Sequence, residues 1–184
     1  MRSLGKISTD KPVVTDYTFN IFNKQTISVL EDTYNIENYT LSPELNLQEL
    51  QELTSDKSEV VIYGRLPLMT THQCPVGIHC ANKKSGKYCK LKGIEGNYQL
   101  KDRKNVKFPI VRDCDNCVAF ILNSAPICIL NKKDDILSLD SNMLRLDFTT
   151  ENAKTVKNVI QEHMNVLQKG NKMSAEFEKY MKSE

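Results

Sequence analysis

The chain has 184 residues, 40% of them apolar and 26% charged, with a net charge of +2. That is the balance of a globular protein long enough to bury a real core. No apolar run approaches the ~20 residues needed to cross a bilayer, and the first residues lack the apolar centre of a signal peptide, so no membrane association and a cytoplasmic location are expected.

Taken in chain order, short β-branched or aromatic runs alternate with helical stretches. Residues 12–15 read as a strand ending at Asp16, with a helix over 24–33. A strand over 38–41 leads into Ser42, Pro43 and Glu44 and a helix near 46–54. The run 59–63 ends at Gly64 and Arg65. Residues 118–122 end at Asn123 and Ser124, with a helix near 126–137. Residues 143–148 precede a helix over about 151–169 that Thr149 or Thr150 caps, and residues 174–184 read as a last helix. Alternation of this kind predicts parallel pairing and an α/β fold, with chemistry at the C-terminal ends of the strands.

Residues 68–117 break the rhythm. They hold five of the six cysteines together with eight lysines, and 98–101 and 107–111 form a hairpin around 102–106. This segment reads as an insertion between two barrel strands, in a single domain spanning 1–184. Between residues 83 and 107 stand nine Lys or Arg and two acidic residues, about +7, a local patch for phosphates or other anions. Five strands of barrel type are too few for an eight-stranded barrel, which takes roughly 250 residues. A partial barrel is expected, one that needs an N-terminal barrel half or a partner subunit.

The cysteines carry the sharpest signal. In a reduced chain without a leader, such a cluster points to metal rather than to disulfides. The spacing Cys74-x5-Cys80-x8-Cys89, followed by Cys114-x2-Cys117, contains one close pair, whereas structural zinc sites usually have two. Irregular spacing favours an iron–sulfur cluster, with zinc as the alternative. Pro75 and Gly77 after Cys74 fit a loop whose backbone N–H groups approach sulfur. Cys128, within an apolar run, reads as a small buried hydrophobe.

Val61 to Met69, then Gln73 to Gly77, Leu100 to Arg103 with Phe108 and Pro109, Cys117 ahead of Leu122, Asn123 and Ser124, and Leu144 to Phe148 come in one order. Together with Asp16 to Asn23 and Leu41 to Leu45 they resemble the collagenase-like peptidase family of unknown mechanism. The resemblance implies a TIM-like (β/α) barrel with a [4Fe–4S] cluster on Cys74, Cys80, Cys89 and Cys117, Cys114 being extra to the pattern and able to exchange with Cys117.

The family's name points to proteolysis, yet no His-Glu-x-x-His, Gly-x-Ser-x-Gly or paired-aspartate signature is present. A Cys–His pair would have to use His72, His79 or His163. Better understood relatives hydroxylate RNA bases or a quinone-precursor ring without molecular oxygen, with prephenate as donor for the RNA enzymes. On that model Arg65, Arg103, Asn123 and Arg145 bind a small anionic substrate, guanidinium forks matching its carboxylates. Asp16 and Glu44 are the candidate acid and base, and the basic insert meets RNA phosphate. A third class is a non-catalytic cluster-bearing subunit.

Overall fold

A computed structural model describes residues 13–34, 36–81 and 96–183, the side chains of residues 80, 81, 182 and 183 excepted. The chain forms two compact units, the first from residues up to Tyr63 with Cys128–Asp147 and Val159–Ser174, the second from Gly64–Ile127, Phe148–Asn158 and Ala175–Glu184.

The first unit is built on β1 (Val14–Thr15), β2 (Asn38–Thr40) and β3 (Ser58–Gly64), joined in parallel register with Val14 opposite Asn38 and Thr40 opposite Glu59. Parallel neighbours need crossover connections, and two helices supply them. Helix α1 (Lys24–Tyr34) is opened by the Asn23 side chain, which accepts from the Thr26 N–H at 2.9 Å. Helix α2 (Leu47–Leu53) has a reciprocal cap, Asn46 accepting from Glu49 N–H while Glu49 accepts from Asn46 N–H. Leu30 on α1 and Leu50 and Leu53 on α2 pack with Tyr39, Leu41, Val60 and Ile62 of the strand segments in one apolar core.

Further along the chain, β8 (Ile127–Cys128) and β9 (Met143–Asp147) both pair with β3, and helix α4 (Lys133–Leu137) contributes Ile136 to the core. Where one helix was expected near 126–137, the two-residue strand and a 3-10 turn over Leu130–Lys132 come first. Apolar runs this short do not distinguish the two states. Helix α5 (Ala153–Leu167) presents Val159, His163 and Val166 on one buried stripe. Its cap is Asn152, whose Oδ1 accepts from Thr155 N–H at 3.0 Å, rather than either preceding threonine.

The second unit holds an antiparallel sheet in the order β4-β7-β6-β5. Its strands are β4 (Pro67–Thr71), β5 (Tyr98–Lys101), β6 (Lys107–Asp113) and β7 (Val118–Leu122). The expected hairpin is there, with Tyr98 opposite Ile110 and Lys101 opposite Lys107. Residues 118–122, expected as a barrel strand, belong instead to this antiparallel sheet. Only four residues separate β6 from β7, enough for a hairpin but far short of a parallel crossover. An aspartate organises each turn. Asp102 Oδ1 accepts from Lys104 and Val106 N–H groups, each at 2.8 Å, and Asp113 Oδ1 from those of Asp115 and Asn116. Helix α3 (Pro75–Ala81) follows β4, and α6 (Ala175–Ser183) buries Phe177.

The expected TIM-like barrel is therefore not seen. Among the described residues the strands form two sheets, mixed with six helices, and neither sheet closes on itself. The repeats of β1 to β3 have the parallel β/α character read from the sequence. No described helix is long and apolar enough to cross a membrane.

Candidate functional site

Two constellations bear chemistry, one in each unit. In the first, the sheet register sets a polar level. Thr40 stands opposite Glu59, and Asp16 follows directly after Thr15, the partner of Tyr39. Tyr39 and Val60 are in the apolar core, so the alternation of the strands turns Thr40 and Glu59 to the other face. There Thr40 Oγ1 donates to Glu59 Oε1 at 3.0 Å. Arg145, on β9, brings Nη1 to 2.8 Å from Asp16 Oδ1 and 3.8 Å from Glu59 Oε1, and Nη2 to 3.4 Å from Asp147 Oδ1. Its guanidinium also lies over the Tyr17 ring, 5.6 Å from the centroid.

Burial disfavours the charge on Arg145, but Asp147, Asp16 and Glu59 together hold its pKa above the ordinary value. Tyr17 is pushed upward by burial and then by the negative charge of Asp147 and Asp16, with Arg145 opposing. Two residues assigned separate roles from sequence, Asp16 as acid or base and Arg145 as anion binder, are thus ion-paired to each other. Glu44 is exposed, its N–H donating to Ser42 Oγ at 3.4 Å.

The second constellation lies in the other unit, around a cleft of about 760 Å³ lined in part by Arg65, Tyr98, Gln99, Arg112, Cys114 and Glu151. Arg65 is buried, and its Nη1 donates to the main-chain carbonyls of Asn123, at 3.0 Å, and Ser124. Its Nε is 4.0 Å from Glu151 Oε1, and the other oxygen of that carboxylate accepts from the Thr149 and Thr150 N–H groups at 2.8 and 3.0 Å. Asn123 takes part through its main chain, its N–H donating to the Leu66 carbonyl at 2.9 Å. Arg103 is exposed in the β5–β6 turn and does not line the cleft.

The strand register also gathers cysteines. Thr71 pairs with Ala119, so Cys74, just beyond β4, and Cys117, just before β7, lie at the same end of the sheet. Asp113 pairs with Val118, which puts Cys114 and Cys117 in the loop closing that end. Cys74 precedes α3, and its Sγ accepts from the Gly77 N–H at 3.4 Å. Pro75 at the first helical position suits that arrangement, because its φ is already helical and the position needs no donor. Cys117 has φ 56°, in the left-handed region, where a non-glycine residue costs about 1–2 kcal/mol. Cys128 is half-buried, and burial raises its thiol pKa.

The Cys80 side chain and all of Cys89 lie outside the described residues. Among the described residues no three His, Cys, Asp or Glu side chains are grouped to hold a metal ion. The described donors fit an iron–sulfur cluster chemically. Cys74 and Cys117 put thiols at one sheet end, and a backbone N–H points at the Cys74 sulfur, as such clusters favour. His72 and His79 are exposed. His163 is buried, its Nδ1 2.8 Å from the Val159 carbonyl and its ring edge-on to Tyr63. Burial holds its pKa below the usual value, against the opposing influence of the Val159 carbonyl and Glu162.

Tyr98, Arg112 and Glu151 were missed by sequence reasoning. Arg112 was legible in principle: a hairpin with Tyr98 opposite Ile110 sets Arg112 on the diagonal, within reach of an aromatic ring. Glu151 had no such signal, since an acidic residue ahead of a helix is commonplace.

A mixed α/β protein with a cysteine-bearing antiparallel sheet beside a polar cleft is the class that fold and site define. The model of peptidase family U32 matches residues 1–184, and the chain belongs to that family. No curated protein and no solved structure matches it.

Proposed function

We propose that this protein is an iron–sulfur enzyme that hydroxylates RNA bases without molecular oxygen, using a small anionic donor such as prephenate. The observation that carries this reading is that Cys74, Cys114 and Cys117 fall at the same end of a sheet whose cleft has Cys114, Arg65 and Arg112 in its walls. Cys74, Cys80, Cys89 and Cys117 are the ligands of a [4Fe–4S] cluster. When bound, the cluster supplies redox and Lewis-acid chemistry next to the cleft.

The chain's own residues bind and orient. Arg112 offers a guanidinium to an anion or a planar ring. Arg65, held by two carbonyls and facing Glu151, fixes the segments after β3, β7 and β9 as the cleft's frame. The left-handed backbone at Cys117 supports a ligand role, because strain of this kind is kept where a side chain must point in one direction. In the first unit, Asp16, held by the Arg145 guanidinium at 2.8 Å, serves as the acid or base.

Peptide hydrolysis is the second reading, favoured by the family's name. It would need an activated nucleophile, and His163, the one buried histidine, has its Nδ1 on a backbone carbonyl. Nucleoside mass spectrometry of RNA from a deletion strain grown without oxygen, run beside a peptide-cleavage screen of the full protein, decides between them. Loss of a hydroxylated nucleoside is the expected result. Unchanged nucleosides with metal-independent peptide cleavage would establish the peptidase.

A further inference from the structure

The cleft of the second unit has a wall that a small anionic donor does not require. Arg112 lies over the Tyr98 ring, 4.7 Å from its centroid. Asn97 and Gln99, amides able both to donate and to accept, flank them in the lining. Gly96 closes against the same ring, since a Cβ there would come 2.8 Å from Tyr98 Cε2. Tyr98 begins β5, the outer strand of its sheet. From it the hairpin runs about 10 Å, three residues of strand, to a turn where Lys101, Arg103, Lys104 and Lys107 are all exposed. The one acidic residue of that turn, Asp102, has its carboxylate engaged by two main-chain N–H groups.

The geometry points to a binding track for single-stranded RNA. One unstacked base enters the cleft against the Arg112–Tyr98 pair, with Asn97 and Gln99 at its polar edge, and the adjoining phosphates run along Lys101, Arg103, Lys104 and Lys107. This rests on the RNA reading above and adds where the strand lies and which residues take the base. Three physical points support it. A guanidinium and an aromatic ring form the sequence-tolerant platform on which unpaired bases stack. A cleft of about 760 Å³ is of ligand-pocket size. The one carboxylate among the described residues of its wall, Glu151, is engaged by two N–H groups and faces Arg65, so its charge toward an incoming polyanion is offset.

The test uses full-length protein purified without oxygen and a short single-stranded oligoribonucleotide carrying one 2-aminopurine, whose emission changes on stacking. Binding is expected to alter that emission. Arg112→Gln weakens binding roughly 5- to 150-fold and removes the emission change, whereas Tyr98→Phe keeps both. Arg103→Ala with Lys104→Ala weakens binding and lowers the salt slope by about two, yet leaves the emission change at saturation. No binding, an unchanged emission at saturation, or an Arg112→Gln variant that binds as tightly as the parent overturns the inference. The two readings fail separately. Unchanged cellular nucleosides with an intact emission change would sink hydroxylation alone, and an altered nucleoside profile without an emission change would sink this track alone.

Discussion

Arg145 Nη1 stands 2.8 Å from Asp16 Oδ1, a contact between residues 129 apart in the chain. It ties the end of β1 to β9 across a face that also holds Glu59 and Asp147. Removing the guanidinium leaves three carboxylates without their shared cation. Arg145→Met is expected to cost about 1–2 kcal/mol at neutral pH, discounted for partial solvent screening. Urea unfolding at pH 7 in low and in high salt checks this, because screening should shrink the electrostatic cost. An equal cost in both would mean that packing alone was lost.

Ligand identity is tested by metal content. Serine at Cys74, Cys80, Cys89 or Cys117 is expected to abolish the roughly four iron and four sulfide per chain of a [4Fe–4S] site, while Cys128→Ser retains them. Cys114→Ser separates two assignments: iron kept there and lost in Cys117→Ser supports Cys117, and the reverse result would transfer the role to Cys114.

The left-handed backbone at Cys117 gives an independent measurement. Cys117→Gly relieves the conformation and should stabilise cluster-free protein by about 1 kcal/mol while preventing cluster assembly. A cluster-free Cys117→Gly protein less stable than its parent would contradict strain at that position.

His163 makes stability depend on pH. Its folded pKa is lowered by burial, so the unfolded chain binds its proton more readily. The histidine's contribution is present above the unfolded value near 6.5 and is lost as pH falls below it, with the slope set by the excess protons on the unfolded state. Urea midpoints at pH 7.5 and pH 5.5 should differ less in His163→Leu than in the parent. An unchanged difference would mean that another group titrates.

Gly96 has a steric prediction. Gly96→Ala drives a methyl group into the Tyr98 ring and should cost about 1–3 kcal/mol, as overpacking does. In a Tyr98→Leu background the cost should fall, and the double-mutant cycle reports the coupling directly. Additive effects would show that the ring yields freely.

The sequence by itself determined the local elements. Asn46 with Glu49 writes a helix start, an apolar run such as Val60, Val61 and Ile62 writes a buried strand, and the hairpin around Asp102 was readable as a hairpin. These depend on capping, periodicity and turn chemistry, which act over a few residues. The clustering of cysteines, and with it the family, was legible in the same way, since it is a matter of residue type and order. Only the tertiary structure decided which sheet each strand joined. Residues 118–122 look the same whether they enter a barrel or pair with β4 and β6, because pairing partners are chosen by chain connection and packing rather than by the strand's own composition. The same holds for charge. Arg145 and Asp16 carry no mark of each other in sequence, and Glu151 becomes a buried anion only because Arg65, Thr149 and Thr150 are brought around it, as the cost of desolvating a carboxylate demands.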